Sequence, residues 1–159
     1  MGRVVGALEL QTELDRAREE GKRVVLTNGC FDLLHPGHLS YLRRARDMGD
    51  VLVVGVNDDD TVRKLKGPER PLLPEADRAE MLAALEPVDL VVIFRELRAD
   101  ELIREVRPDF YVKGGDYSPE TLPEAPTAAD VGAQVRLVSY LPGYSTTALL
   151  SRIRGSTPE

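Results

Sequence analysis

A chain of 159 residues, 42% hydrophobic and 30% charged, has the size and composition of one globular domain and is too apolar to be disordered. Its net charge of −6 argues against a bulk nucleic-acid partner, which selects for a basic face, and no apolar run approaches the roughly 20 residues that cross a bilayer. A single cysteine, Cys30, leaves no internal disulfide and no cysteine-rich zinc site. Acidic Glu9, Glu13 and Asp15 stand where a secretory leader would carry its apolar core. The expectation is a cytoplasmic protein with neither a membrane nor a nucleic acid as partner.

Apolar periodicity along the chain alternates between two types. Val4 to Glu20 reads as a helix with Leu8, Leu10, Leu14 and Ala17 inward, and Gly21 ends it. Arg23 to Thr27 is a β-branched, continuously apolar run of the kind covered on both faces. Leu39 to Met48 is helical, Val51 to Val56 a second strand, and Glu75 to Leu85 a helix introduced by Pro74. Leu90 to Phe94 is a strand, Asp100 to Val106 a helix, and Phe110 to Val112 a strand. Ser118 to Asp130 reads as a surface loop, Val135 to Tyr140 as a fifth strand and Thr146 to Ile153 as a closing helix. This alternation predicts βαβ units: one Rossmann-like, doubly wound α/β domain over residues 1–159, with a five-stranded parallel sheet, a core at about 22–153 and the helix at 4–20 ahead of it. Ligands of such a sheet sit beyond the C-terminal ends of its strands.

One of those ends holds the most informative segment, Thr27-Asn28-Gly29-Cys30-Phe31-Asp32-Leu33-Leu34-His35-Pro36-Gly37-His38. Pro36 suits a first helical turn, because its missing N–H would be unsatisfied there anyway. A helix starting at Pro36 places His35 and His38, the only two histidines, almost side by side. Gly37 has no side chain to block an anion from the backbone, and the free N–H groups and positive end of the helix dipole point to the same place. Two imidazoles over a helix N-terminus make a site for phosphoryl oxygens. A single histidine beside a turn is ordinarily structural, and metal ligation by this pair would need carboxylates such as Asp32 to complete it.

This segment, Thr-x-Gly-x-Phe-Asp-x-x-His-x-Gly-His, resembles the signature of the nucleotidyltransferase superfamily of cytidylyltransferases and several adenylyltransferases. Leu65-Lys66-Gly67-Pro68-Glu69-Arg70-Pro71, Asp77-Arg78, Val112-Lys113-Gly114-Gly115-Asp116-Tyr117 and Gly143-Tyr144-Ser145-Thr146-Thr147 follow. Their order is similar to that in the adenylyltransferase domains of ADP-heptose synthases, and the likeness runs from about Lys22 to Ile153. It implies transfer of a nucleoside monophosphate from ATP, with CTP as the alternative, to a small phosphorylated sugar or polyol such as heptose 1-phosphate. Pyrophosphate is released and Mg²⁺ is the cofactor.

The resemblance makes His35, His38 and Lys66 catalytic. Thr27, Asn28, Gly29, Cys30, Phe31 and Gly37 become nucleotide- or phosphate-binding, joined by Arg78, Lys113, Gly114, Asp116, Gly143, Ser145, Thr146 and Thr147. No protein residue is assigned as a metal ligand, although Asp32 is a candidate to orient a neighbour or reach a hydrated Mg²⁺. Lys64 and Lys66 read as part of a loop that closes on phosphates, with Arg70 a weaker candidate beside them. Asp58-Asp59-Asp60 reads as a solvated helix start, and Ser145 or Thr146 as a helix cap. Arg98-Ala99 stands where Thr-Pro is common in the heptose group, and Ser118 to Asp130 has no clear counterpart.

Two alternatives stay open: a relative using CTP and glycerol 3-phosphate, and a nucleotide-binding module without turnover. Intact His35, His38 and Lys66 speak against the second. The resemblance admits a homodimer. Relatives are often fused to a sugar kinase, for which 159 residues leave no room, so a kinase step is expected on another polypeptide.

Overall fold

The computed structural model describes residues 2–115, 117–118 and 120–155. In chain order the elements are β1 (Arg3–Val4), α1 (Ala7–Glu19), β2 (Val24–Gly29), α2 (Pro36–Arg46), β3 (Val51–Asn57), α3 (Asp59–Lys66) and α4 (Glu75–Ala83). They continue with β4 (Leu90–Phe94), α5 (Asp100–Val106), β5 (Phe110–Gly114), α6 (Ala125–Asp130), β6 (Gln134–Val138) and α7 (Thr146–Gly155). The strands form one sheet in the order β1-β4-β3-β2-β5-β6, every pair parallel. From central β2 the chain winds outward through β3 and β4, then crosses back to β5 and β6. The order therefore switches between β2 and β5, and the crevice above their C-terminal ends is where an open α/β sheet takes its ligand.

Alternation along the strands separates two cores. Val24 and Leu26 of β2 pack with Leu10 and Leu14 of α1 and with Leu102 and Ile103 of α5. Val25 faces the other side, with Leu42 and Ala45 of α2 and Leu82 of α4. All three β2 residues are fully buried, which explains why this strand reads as unbroken apolar sequence.

The sheet has six strands where the sequence predicts five. The helix expected from Val4 begins at Ala7, because Gly6 is extended (φ −85°, ψ 179°) and acts as N-cap. The residues ahead of it pair with β4, Arg3 against Leu90 and Val4 against Val91. Two residues are too short a run to show a period of two. Leu8 lies on the solvent side of α1, opposite the stripe formed by Leu10, Leu14 and Ala17.

Two helices also appear where loops are expected. In α3 the Asp58 side chain caps the Thr61 amide at 3.0 Å, with Asp59 and Asp60 in the first turn and Arg63, Lys64 and Lys66 in the last. Both charge groups favour the helix dipole. The acidic run is thus the helix start its sequence suggests, although Asp58 is buried by its capping role and only Asp60 is exposed to solvent. The two lysines are helical rather than part of a loop. The stretch from Ser118 to Asp130 contains α6, whose Thr127 and Ala128 are buried. No helix among the described residues is long and apolar enough to cross a membrane.

Candidate active site

A cavity of about 590 Å³ opens above the C-terminal ends of β2, β3 and β5, at the switch in strand order. Its architecture begins at the turn leaving β2. Gly29 lies under Phe31, whose ring would stand 3.0 Å from any Cβ there. Phe31 itself takes a left-handed backbone (φ 48°), a conformation that costs a non-glycine residue free energy and persists only where neighbours enforce it. Asp32 does the enforcing. Its buried carboxylate accepts hydrogen bonds from Arg70 Nε at 2.6 Å and from the amides of Leu72 at 2.8 Å and Leu73 at 3.0 Å. Burial opposes ionisation of Asp32, yet Arg70 and those amides win and hold it below the usual carboxylate range. Asp32 therefore ties the signature turn to the segment after α3, and both of its oxygens are committed.

Helix α2 starts at Pro36, with His35 as its N-cap. His35 Nδ1 accepts from the Gly37 amide at 3.1 Å, which leaves Nε2 as the ring's donor. A Cβ on Gly37 would stand 2.8 Å from the His35 ring and 3.0 Å from the Tyr144 Cβ. Glycine is needed here because the imidazole folds back over it, a tertiary reason different from anion approach. His38 stacks on His35 with ring centroids 3.9 Å apart, and its buried Nδ1 has no hydrogen-bond partner among the described residues. Burial lowers the His35 pKa; burial and the neighbouring His35 push His38 down to about 4. Both rings are neutral near pH 7. An orphaned ring nitrogen is costly, so this pair is built to meet a partner.

Thirteen of the sequence-derived site residues line this one cavity: His35, His38 and Lys66; Asn28, Gly29, Cys30, Phe31 and Gly37; Lys113 and Gly114; and Ser145, Thr146 and Thr147. Lys66 is exposed at the end of α3, whereas Lys113 is half-buried on β5, and burial lowers its pKa. Burial raises the Cys30 thiol, which keeps it protonated and unsuited to nucleophilic attack. Ser145 caps α7 by accepting the Ala148 amide at 2.9 Å, while Thr146 donates to the Leu33 carbonyl at 3.2 Å. These two bonds attach the start of α7 to the cavity rim.

Three of the remaining four lie elsewhere. Thr27 is fully buried below the floor, with its hydroxyl 2.6 Å from Tyr41 Oη and 2.9 Å from the Val112 carbonyl. Gly143 takes a left-handed turn (φ 85°) ahead of α7, outside the lining. Asp116 lies outside the described residues. Arg78 is 1% exposed and off the cavity. Its guanidinium donates to the carbonyls of Leu73, Cys30 and Asn57 and to Asp59 Oδ1, all at 2.7–2.9 Å. Arg78 therefore brackets the ends of β2 and β3 and has little left to offer a phosphate.

Several lining residues carry no local sequence signal. Tyr41, Asn57, Arg98, Glu124, Tyr140 and Tyr144 reach the cavity from five different segments, the last two sharing the stretch between β6 and α7. The cavity thus has stacked imidazoles at a helix N-terminus, one lysine from the end of α3 and another from β5, and hydroxyls at a second helix start. That donor set suits a polyphosphate. Residues 26–149 match the cytidylyltransferase-like family.

The chain belongs to the cytidylyltransferase-like family of nucleotidyltransferases. It is 52% identical over 136 residues to the bifunctional protein HldE of a Nitratiruptor species, covering 86% of this chain and 29% of that protein. It is 50% identical over 153 residues to the bifunctional protein HldE of Rhodopseudomonas palustris, covering 96% and 31% respectively. The chain thus spans under a third of the length of these curated relatives. Among solved structures, the lipopolysaccharide core biosynthesis protein from Thermoplasma volcanium superposes with a TM-score of 0.62 at 31% identity, over 76% of this chain and 98% of that one.

The neutral histidine pair of this cytidylyltransferase-like domain makes a testable linkage. A polyanion beside the rings raises their pKa values, so the complex holds more protons than the free protein and affinity rises as pH falls toward 6. Calorimetric titration with ATP at pH 6.5, in two buffers of different ionisation enthalpy, is expected to report net proton uptake. Uptake that persists after His35 and His38 are both replaced by glutamine would place the linkage elsewhere.

Proposed function

We propose that the domain transfers the adenylyl group of ATP to the phosphate of a sugar phosphate, heptose 1-phosphate, and releases pyrophosphate. An acceptor phosphate oxygen attacks the α-phosphorus, the bond to the bridging oxygen breaks, and pyrophosphate leaves with the electron pair. The acceptor phosphate is largely ionised at neutral pH, so the attack needs no general base and no enzyme nucleophile. What the protein supplies is alignment and positive or donor character where charge builds. His35 and His38 donate to the triphosphate, Lys66 and Lys113 balance its charge, and the hydroxyls at the start of α7 add further donors. A Mg²⁺ ion bound with the nucleotide would add positive charge at the triphosphate while needing few protein ligands. Asp32, the carboxylate nearest in sequence to the histidines, has both oxygens committed to Arg70, Leu72 and Leu73 and would not hold it directly.

The observation that carries this reading is the stacked pair at 3.9 Å with a buried, unpartnered Nδ1, facing a cavity with lysines on its wall. The choice of a sugar phosphate is supported by the bifunctional HldE relatives and by the lipopolysaccharide core biosynthesis protein that shares the fold. Pyrophosphate release decides it, measured with ATP or CTP against heptose 1-phosphate or glycerol 3-phosphate. The expected turnover is with ATP and heptose 1-phosphate. Preferred turnover with CTP and glycerol 3-phosphate would move the domain to the other acceptor class, and no release from any pair would make it a binding module.

A further inference from the structure

The cavity reaches across the top of the sheet, and its far side carries a carboxylate that the phosphate chemistry leaves unused. His35 and His38 head α2, which packs on one face. Glu124 lies between Leu122 and Ala125, which pack on the other face. Glu124 is only 5% exposed and lines the cavity. Its contacts are long: the Tyr111 hydroxyl at 3.5 Å and Arg98 Nε at 3.8 Å. The Tyr111 proton is spent on Asn28 Oδ1 at 2.5 Å, and Arg98 is drawn to Asp100 Oδ2 at 2.9 Å and the Pro123 carbonyl at 2.6 Å. A buried carboxylate ordinarily holds close donors on both oxygens; this one has lone pairs to give.

Asn28 shares the Tyr111 hydroxyl with Glu124. Its amide oxygen is committed, so its NH₂ is the group left to bond a ligand. A strong acceptor and a neutral donor stand side by side, the combination a hydroxyl satisfies at once by donating to one and accepting from the other. A cationic ligand would meet Lys113 and Arg98 in the same lining, and an anionic one would meet Glu124 itself. The aromatic part of the lining, where Tyr140 packs against Gly114 and Gly115, suits a flat base and leaves the Glu124 corner to a different group.

We propose that Glu124, acting with Asn28, selects the hydroxylated carbon skeleton of the acceptor. Calling that ligand the acceptor rests on the transferase reading above. The selection itself is a binding property and is tested without turnover. The protein is saturated with a non-hydrolysable ATP analogue and titrated calorimetrically with heptose 1-phosphate and, separately, with ethyl phosphate, which has the phosphate but no hydroxyls.

The wild-type protein is expected to bind heptose 1-phosphate at least about tenfold more tightly than ethyl phosphate, and Glu124→Gln to lose most of that preference. Affinities of the variant for ethyl phosphate and the nucleotide analogue are expected to stay within about twofold of wild type, which also reports that it has folded. A preference retained in Glu124→Gln overturns the proposal. So does weaker binding of the analogue, which would put Glu124 on the ribose. Should the variant not fold, the wild-type titrations still decide, since equal affinity for the two probes overturns the assignment. Absence of pyrophosphate release alongside a Glu124-dependent preference would count against the transferase reading alone.

Discussion

Replacing His38 by alanine is expected to slow pyrophosphate release by about 10²–10³-fold, equivalent to roughly 3–4 kcal/mol of lost transition-state stabilisation. The ring stacks at 3.9 Å on His35 and keeps an orphaned nitrogen below the cavity surface. In the free protein it is neutral, with a pKa pushed down to about 4, so its contribution grows only when charge develops on the phosphates. Such a group affects kcat more than KM. Stability is expected to change little, because truncation removes an unsatisfied buried polar atom along with the ring's packing. Single-turnover rates and thermal melts of the same preparation measure both quantities. A rate near wild type would make the histidine pair a structural stack.

Arg78→Ala is expected to act in the opposite sense, costing about 3–5 kcal/mol of stability, the range for removing one partner from a buried charged network. The guanidinium joins three carbonyls and one carboxylate from separate segments, and its loss leaves the buried Asn57 carbonyl and the part-buried Cys30 carbonyl without this donor. Arg78→Lys is expected to recover less than half, because an ammonium cannot reproduce the planar fork. Urea unfolding gives the cost. Unchanged stability with a raised KM for ATP would instead make Arg78 a direct phosphate ligand, the role its place in the sequence pattern suggests.

Arg78 also shows where reading the sequence stops. The Asp77-Arg78 pair fits a family position, but the atoms it serves lie far off in the chain, at Cys30, Asn57 and Asp59. Gly37 makes the same point on a smaller scale. Its bareness is visible in the sequence, whereas the ring that needs the space arrives only when His35 folds back. Glu124 sits in an acidic, proline-containing stretch that reads as surface loop, and nothing local sets it apart from Glu120. Only the packing of Leu122 and Ala125 into the core carries it to the cavity wall.

The α/β alternation, the buried central strands and the helix opened by His35-Pro36-Gly37-His38 were all decided by residues close together in the chain. Period, capping and proline geometry act over a few residues, so the linear order records them. The sixth strand, the bracket formed by Arg78, the clamp from Asp32 to Arg70 and the carboxylate corner were decided by the fold. Each joins segments tens of residues apart, and a hydrogen bond at 2.6–3.0 Å between such segments exists only after the sheet has set their distance.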